Sequence, residues 1–205
     1  ENPSAITHPL DRALLAQLAT VVERATTAFD NYDYSRALEV TETFFWAFCD
    51  DFVEMVKDRA YGGQGPEGAA SAHATLAATL SVLLRLFAPT LPFVTEEAWS
   101  WWQTGSIHRS PWPDASSVTE LAADGNIALN ETTAVLLSTI RRAKSDAQVS
   151  MRADVESAII TAPAAQLELV RQVEGDLRAV GRIANVSYVE GDSVSAEVVL
   201  GEQPA

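Results

Sequence analysis

One cysteine and three histidines among 205 residues leave little material for thiol or metal chemistry. A lone Cys49 cannot form a disulfide within one chain, and its neighbours Phe48 and Phe52 mark it as a small buried hydrophobe rather than a nucleophile. His8, His73 and His108 are too scattered to form a metal cluster. No uninterrupted apolar run reaches the roughly 18 residues that a bilayer span requires. The N-terminal Glu1-Asn2-Pro3-Ser4 lacks the basic, then apolar pattern of a signal peptide, so the chain is expected to be cytoplasmic and free of membrane. Cations are also scarce, with 14 Lys and Arg against 28 Asp and Glu and a net charge of −14. Nonspecific nucleic-acid binding is mostly phosphate neutralisation, so this balance excludes a basic platform for DNA. Any RNA contact must be local, through unstacked loop bases read by aromatic stacking and edge hydrogen bonds. A Gly-rich phosphate loop, a zincin spacing and a placeable Ser/His/Asp set are all absent, and the adjacent Glu96 and Glu97 point in different directions on a helix. No catalytic and no metal-ligating residue is assigned.

What the chain does have is apolar residues in helical register. Leu10, Leu14, Leu18, Val21, Val22, Ala25 and Phe29 predict an amphipathic helix over 9–31, with Pro9 in its first turn. A second long helix, capped by Asp33 or Ser35, carries Leu38, Phe45, Phe48, Phe52 and Met55 until Gly62-Gly63, and residues 62–68 read as a flexible connection. A third, over 67–88, is Ala- and Leu-rich with Leu76, Leu80, Leu83, Leu84 and Phe87 inward. Pro92 opens a short fourth helix that holds Trp99, Trp101 and Trp102 and closes at Gly105. Residues 106–125 read as a surface connection, and a fifth helix follows over 130–148. The period then changes to alternation. Strands are expected at 155–161, 183–190 and 195–200, with a helix over 163–180 and a turn at Gly191-Asp192. The fold class is therefore mainly α: a helical bundle over 1–125 followed by a small α+β unit over 126–205.

Two groups of side chains stand out as binding candidates. On the second helix Trp46, Asp50, Val53, Lys57 and Tyr61 fall on one strip of an uninterrupted α-helix, and Lys57, Arg59 and Tyr61 end it beside a glycine pair. Cations and a stackable ring there suit an RNA loop, although cations at a helix C-terminus also have a purely electrostatic reason. Arg141, Arg142, Lys144 and Arg152 form the densest basic cluster, bracketing a loop at 147–151 in an otherwise acidic chain. Trp99, Trp101, Trp102 and Trp112 read as packing anchors.

Three segments, taken in order, resemble the anticodon-binding region of valyl-tRNA synthetases. They are Phe48-Cys49-Asp50-Asp51-Phe52-Val53-Glu54-Met55-Val56-Lys57, Phe87-Ala88-Pro89-Thr90-Leu91-Pro92-Phe93-Val94-Thr95-Glu96-Glu97-Ala98-Trp99, and Ser106-Ile107-His108 with Trp112-Pro113. The resemblance runs from Leu10 to the end of the chain, and Pro89 to Trp99 is also similar to leucyl and isoleucyl enzymes. It implies a bundle that binds the anticodon stem-loop of valine tRNA. Amino-acid activation, with ATP and Mg, then lies in a separate nucleotide-binding domain of the same polypeptide. The H-I-G-H and K-M-S-K-S signatures of that domain do not occur here, so this chain itself is expected to hold no cofactor. The corresponding region of an isoleucyl or leucyl enzyme is the alternative within the family, and a helical interaction scaffold without RNA binding is the alternative outside it.

Overall fold

The computed structural model describes residues 3–201; Glu1 and Asn2, used above in reading the N-terminus, lie outside them. The described chain is mainly helical with one three-stranded sheet. It divides into two compact units. One contains the chain up to Asp50 and from Ala70 to Gly125; the other contains Asp51–Ala69 and the chain from Asn126 onward. The division differs from the expected 1–125 and 126–205 in one respect. Residues 51–69 pack with the C-terminal part, because their buried Arg59 has its ion partner at Asp176.

In the first unit, α1 (Pro9–Asp30) starts where Pro9 presets the first turn and His8 Nδ1 accepts a hydrogen bond from Leu10 N at 3.3 Å. It buries Leu10, Leu14, Leu15, Leu18 and Val22 against α2 (Tyr34–Ala47) and α6 (Ala115–Ala122). Asp33 caps α2 by accepting from Arg36 N at 3.0 Å. The long second helix is not continuous: a π-helical turn, Phe48–Phe52, separates α2 from α3 (Val53–Ala60). A π turn holds more residues than an α turn, so it interrupts the 3.6-residue period on which the expected strip from Trp46 to Tyr61 depended. Within it, burial first and then the Asp50 carboxylate push the Cys49 thiol up; Cys49 is half-buried, not fully buried as expected.

α4 (Gly65–Phe87) starts inside the stretch expected to be a flexible connection. It is long and apolar enough to cross a membrane by length and composition, but half of that stretch is buried within the fold, as in a core helix. Its inward face is smaller than expected: Ser71, Ala72, Thr75 and Thr79 are buried with Val82, Leu83 and Leu86, whereas Leu80 faces out. Small side chains let α4 approach its neighbours closely. Ser71 shows how close, accepting from Thr7 N and His8 N at 3.0 Å each and donating to the buried Asp11 carboxylate at 2.6 Å.

α5 (Pro92–Ser100) is fixed by its own polar groups. Glu96 Oε2 accepts from Ser106 Oγ at 3.0 Å and Ile107 N at 2.9 Å, and His108 Nε2 lies 3.1 Å from Pro92 O. Trp99 and Ile107 pack with Ala88, Leu84 and Trp102. Trp112 anchors as expected, donating to Thr26 Oγ1 at 2.8 Å and meeting Phe29 edge-on at 5.0 Å. Trp101 does not, being largely exposed.

The segment expected to be irregular contains α6. Its start was legible in Asp114, whose carboxylate accepts from Ser116 Oγ at 2.5 Å, Ser117 Oγ at 2.8 Å and Ser117 N at 3.0 Å. These bonds stabilise the ionised form and hold the Asp114 carboxyl down at about 2. Its folded value lies below the unfolded one, so the cap's contribution is complete above about pH 4 and is lost progressively as pH falls toward 2. Thermal melts of wild type and Asp114→Ala should differ in Tm at pH 7, with the gap narrowing below pH 4. A gap that stays constant down to pH 3 would refute a role for the ionised cap.

The second unit sets α7 (Ile127–Asp146), α8 (Ala164–Arg171) and α9 (Glu174–Gly181) against a sheet of β1 (Val155–Ala162), β2 (Ile183–Glu190) and β3 (Ser195–Leu200) in the order β2-β1-β3. β1 pairs parallel to β2, with Ile159 opposite Ser187, and antiparallel to β3, with Ile159 opposite Glu197. Hence β2 and β3 are not a hairpin. Ala158, Ile160 and Ala162 of β1 face the core with Leu136, Ile140, Leu167, Val170 and Leu177. The helix expected over 163–180 is two helices, broken at Gln172-Val173.

Candidate nucleic-acid interface

Nine of the fourteen Lys and Arg residues belong to the second unit, the seven from Asn126 onward together with Lys57 and Arg59. Several converge on a groove of about 550 Å³. α3 contributes Glu54, Lys57, Asp58 and Tyr61 to it, α7 contributes Arg141 and Lys144, and Arg152 and Arg182 close it. Tyr61 is 86% exposed at the C-terminal cap of α3, where Gly62 turns the chain at φ 90°. Lys57 and Arg59 of the last turn both suit the negative end of α3, but only Lys57 reaches the surface. Lys57 Nζ lies 3.2 Å from Glu54 Oε1, an exposed pair on adjacent turns. Arg141 Nη1 meets Asp51 Oδ1 at 2.6 Å. Arg182, in the left-handed conformation that closes α9 (φ 54°), is held by Asp154 at 2.6 Å. Arg152 is exposed and makes no side-chain ion pair among the described residues.

Two candidate residues have internal roles instead. Arg59 is fully buried, its Nε 3.1 and 3.2 Å from the two Asp176 oxygens and its Nη1 3.3 Å from Gly68 O. Gln64 Nε2 donates to the same carboxylate at 2.8 Å. A guanidinium so enclosed presents no surface to a ligand. Lys144 is buried too, beneath the groove, donating to Met151 O at 3.1 Å and Gly181 O at 2.9 Å. It ties the loop after α7 to the end of α9. Desolvation, with the Arg182 charge adding to it and Asp154 opposing it, pushes its ammonium down from the usual lysine range. Arg142 is exposed outside the groove, 3.7 Å from Asp146.

Trp46 and Asp50 belong to the first unit. Trp46 is 55% exposed, with its indole N–H donating to Glu42 at 3.3 Å and its ring edge-on to Phe45. Its outer face is open to stacking. Asp50 is exposed at the π turn. The structure thus brings Lys57 and Tyr61 of one sequence group to the same groove as Arg141 and Arg152 of the other, which the sequence did not join, and adds Arg182 and Met151, which it missed. Neither carries a local signal, because the groove joins three segments distant in sequence. Among the described residues no group of three His, Cys, Asp or Glu side chains could hold a metal ion.

A profile of the family described as anticodon-binding domain of tRNA ligase matches residues 11–160. The chain is 49% identical over its whole length to a valine-tRNA ligase of Thermobifida fusca, of which it covers 23%. It is 47% identical over 96% of its length to one from Salinispora tropica, covering 24%. A third, from Bifidobacterium longum, is 39% identical over the whole chain, which covers 25% of it. The chain therefore spans about a quarter of the length of the curated relatives it matches.

Proposed function

Because this chain belongs to the family of anticodon-binding domains of tRNA ligases, we propose that it is the tRNA-reading region of a cytoplasmic valine-tRNA ligase. Its task is to bind the anticodon stem-loop of valine tRNA, while the remainder of the parent polypeptide attaches valine to that tRNA with ATP and Mg. The observation that carries this reading is the groove of the second unit, where cations and an exposed tyrosine converge in a strongly acidic chain. Lys57, Arg141, Arg152 and Arg182 are matched in number by Glu54, Asp51, Asp58 and Asp154, so the groove is close to neutral and its cations act only at short range. Such a site holds a few phosphates and leaves selection to the bases. Tyr61 supplies a stacking ring there, and Trp46 a second one on the first unit. Glu54 and Asp58 supply acceptors for exocyclic amines in the groove.

Arg152 is the cation most available to a phosphate. Arg152→Ala in the parent enzyme should weaken tRNA binding and reduce the slope of log affinity against log salt by about one unit or less. Lys57→Ala should do the same more weakly, since Glu54 already occupies its ammonium. An unchanged affinity and slope in both variants would remove this groove from the tRNA surface. Arg59→Ala should act differently, lowering stability rather than the salt slope.

A further inference from the structure

A group of exposed large apolar side chains of the first unit lies on and beside α5. Phe93 is 89% exposed, Trp101 75%, and Val94 and Leu91 about half. Phe93, Glu97 and Trp101 are spaced by four residues, so they form one stripe along the helix and the turn that closes it. Of the nine residues of α5, only Thr95 and Trp99 are buried. The stripe is nevertheless held in place: Trp101 Nε1 donates to Glu97 Oε1 at 3.1 Å, and the Glu96 bonds to Ser106 and Ile107 fix the rotation of the helix. An ordered apolar stripe of this kind marks an interaction surface.

We propose that this stripe is the docking face for the remainder of the same polypeptide, the three quarters of the relatives' length that this chain does not cover. The inference rests on the reading of the chain as one region of a longer ligase. Two observations favour that occupant over RNA. From Leu86 to Ile107 the sequence has Glu96 and Glu97 and no Lys or Arg, so α5 has no cation with which to hold a phosphate. Aliphatic Leu91 and Val94 are interleaved with the rings, which suits an apolar protein surface better than stacked bases. The facing segment is accordingly apolar, with a basic residue opposite Glu97.

Hydrogen exchange of the α5 amides in this chain and in the longer protein, without RNA, tests the assignment. The expected result is at least tenfold slower exchange over 92–101 in the longer protein. Phe93→Asp should leave the Tm of the chain alone unchanged and lower that of the longer protein. Equal exchange in both, together with no effect of Phe93→Asp on the longer protein, would overturn the docking face. Protection that appears only when tRNA is added would also overturn it and assign the stripe to RNA. A gene that encodes no longer polypeptide would instead remove the reading on which the inference rests.

Discussion

Asp176→Ala is expected to destabilise the chain by about 3–5 kcal/mol, because it takes the Asp176 carboxylate from a charged and fully buried Arg59 guanidinium. Domains are stable by only about 5–15 kcal/mol in total, so the variant should unfold at markedly lower urea concentration. The double replacement Arg59→Met with Asp176→Leu removes both charges and should lose far less. Gln64 then loses its acceptor, but it is exposed and water can replace the bond. Comparing the two variants by urea denaturation separates a desolvated ion pair from ordinary packing loss. Equal stability of Asp176→Ala and wild type would contradict the assignment of Arg59 to the interior. The pair bridges 117 positions of sequence and fastens residues 51–69 to α9, which is why that stretch belongs to the second unit.

Tyr61→Ala should lower affinity for a valine anticodon stem-loop about tenfold, since a stacked base is worth about 1–3 kcal/mol. The ring is 86% exposed, so its removal leaves no cavity and should not change the Tm. That combination, lost affinity at constant stability, is what a contact residue gives and a core residue does not. Binding and melting measured on the same preparation check it. A Tyr61→Ala variant that binds as tightly as wild type would leave Tyr61 as a helix-capping residue only.

The two predictions turn on Arg59 of α3 and on Tyr61, the cap two positions further on, and the difference between them was not legible in the sequence. Lys57, Arg59 and Tyr61 all suit a helix end next to glycine. Which of them turns inward is decided by an aspartate more than a hundred residues away, and no local pattern encodes that partner. Long, strongly periodic elements were legible, as α1 shows through Pro9 and its leucines. So was the alternating tail that forms β1, β2 and β3. The π turn at Phe48–Phe52 was hidden because Phe44, Phe48, Phe52 and Met55 keep an apparently helical spacing through it. α6 was missed for its brevity, only eight residues, although Asp114 announces it. The α8–α9 break at Gln172-Val173 carries neither glycine nor proline. The basic groove was partly legible, because Arg141, Lys144 and Arg152 are close in sequence. The separation of Arg141 at the surface from the buried Lys144 depends on Asp51 and Gly181, which only the fold brings near.

Whether the chain reads an anticodon at all is tested most directly by titrating it at fixed salt with two stem-loops, one carrying a valine anticodon and one an altered anticodon on the same stem. With a net charge of −14 the chain gains little from phosphates alone, so affinity must come from matched bases. The expected result is weak but selective binding, with the valine stem-loop preferred about tenfold or more. Equal affinity for the two RNAs would contradict anticodon reading by this domain.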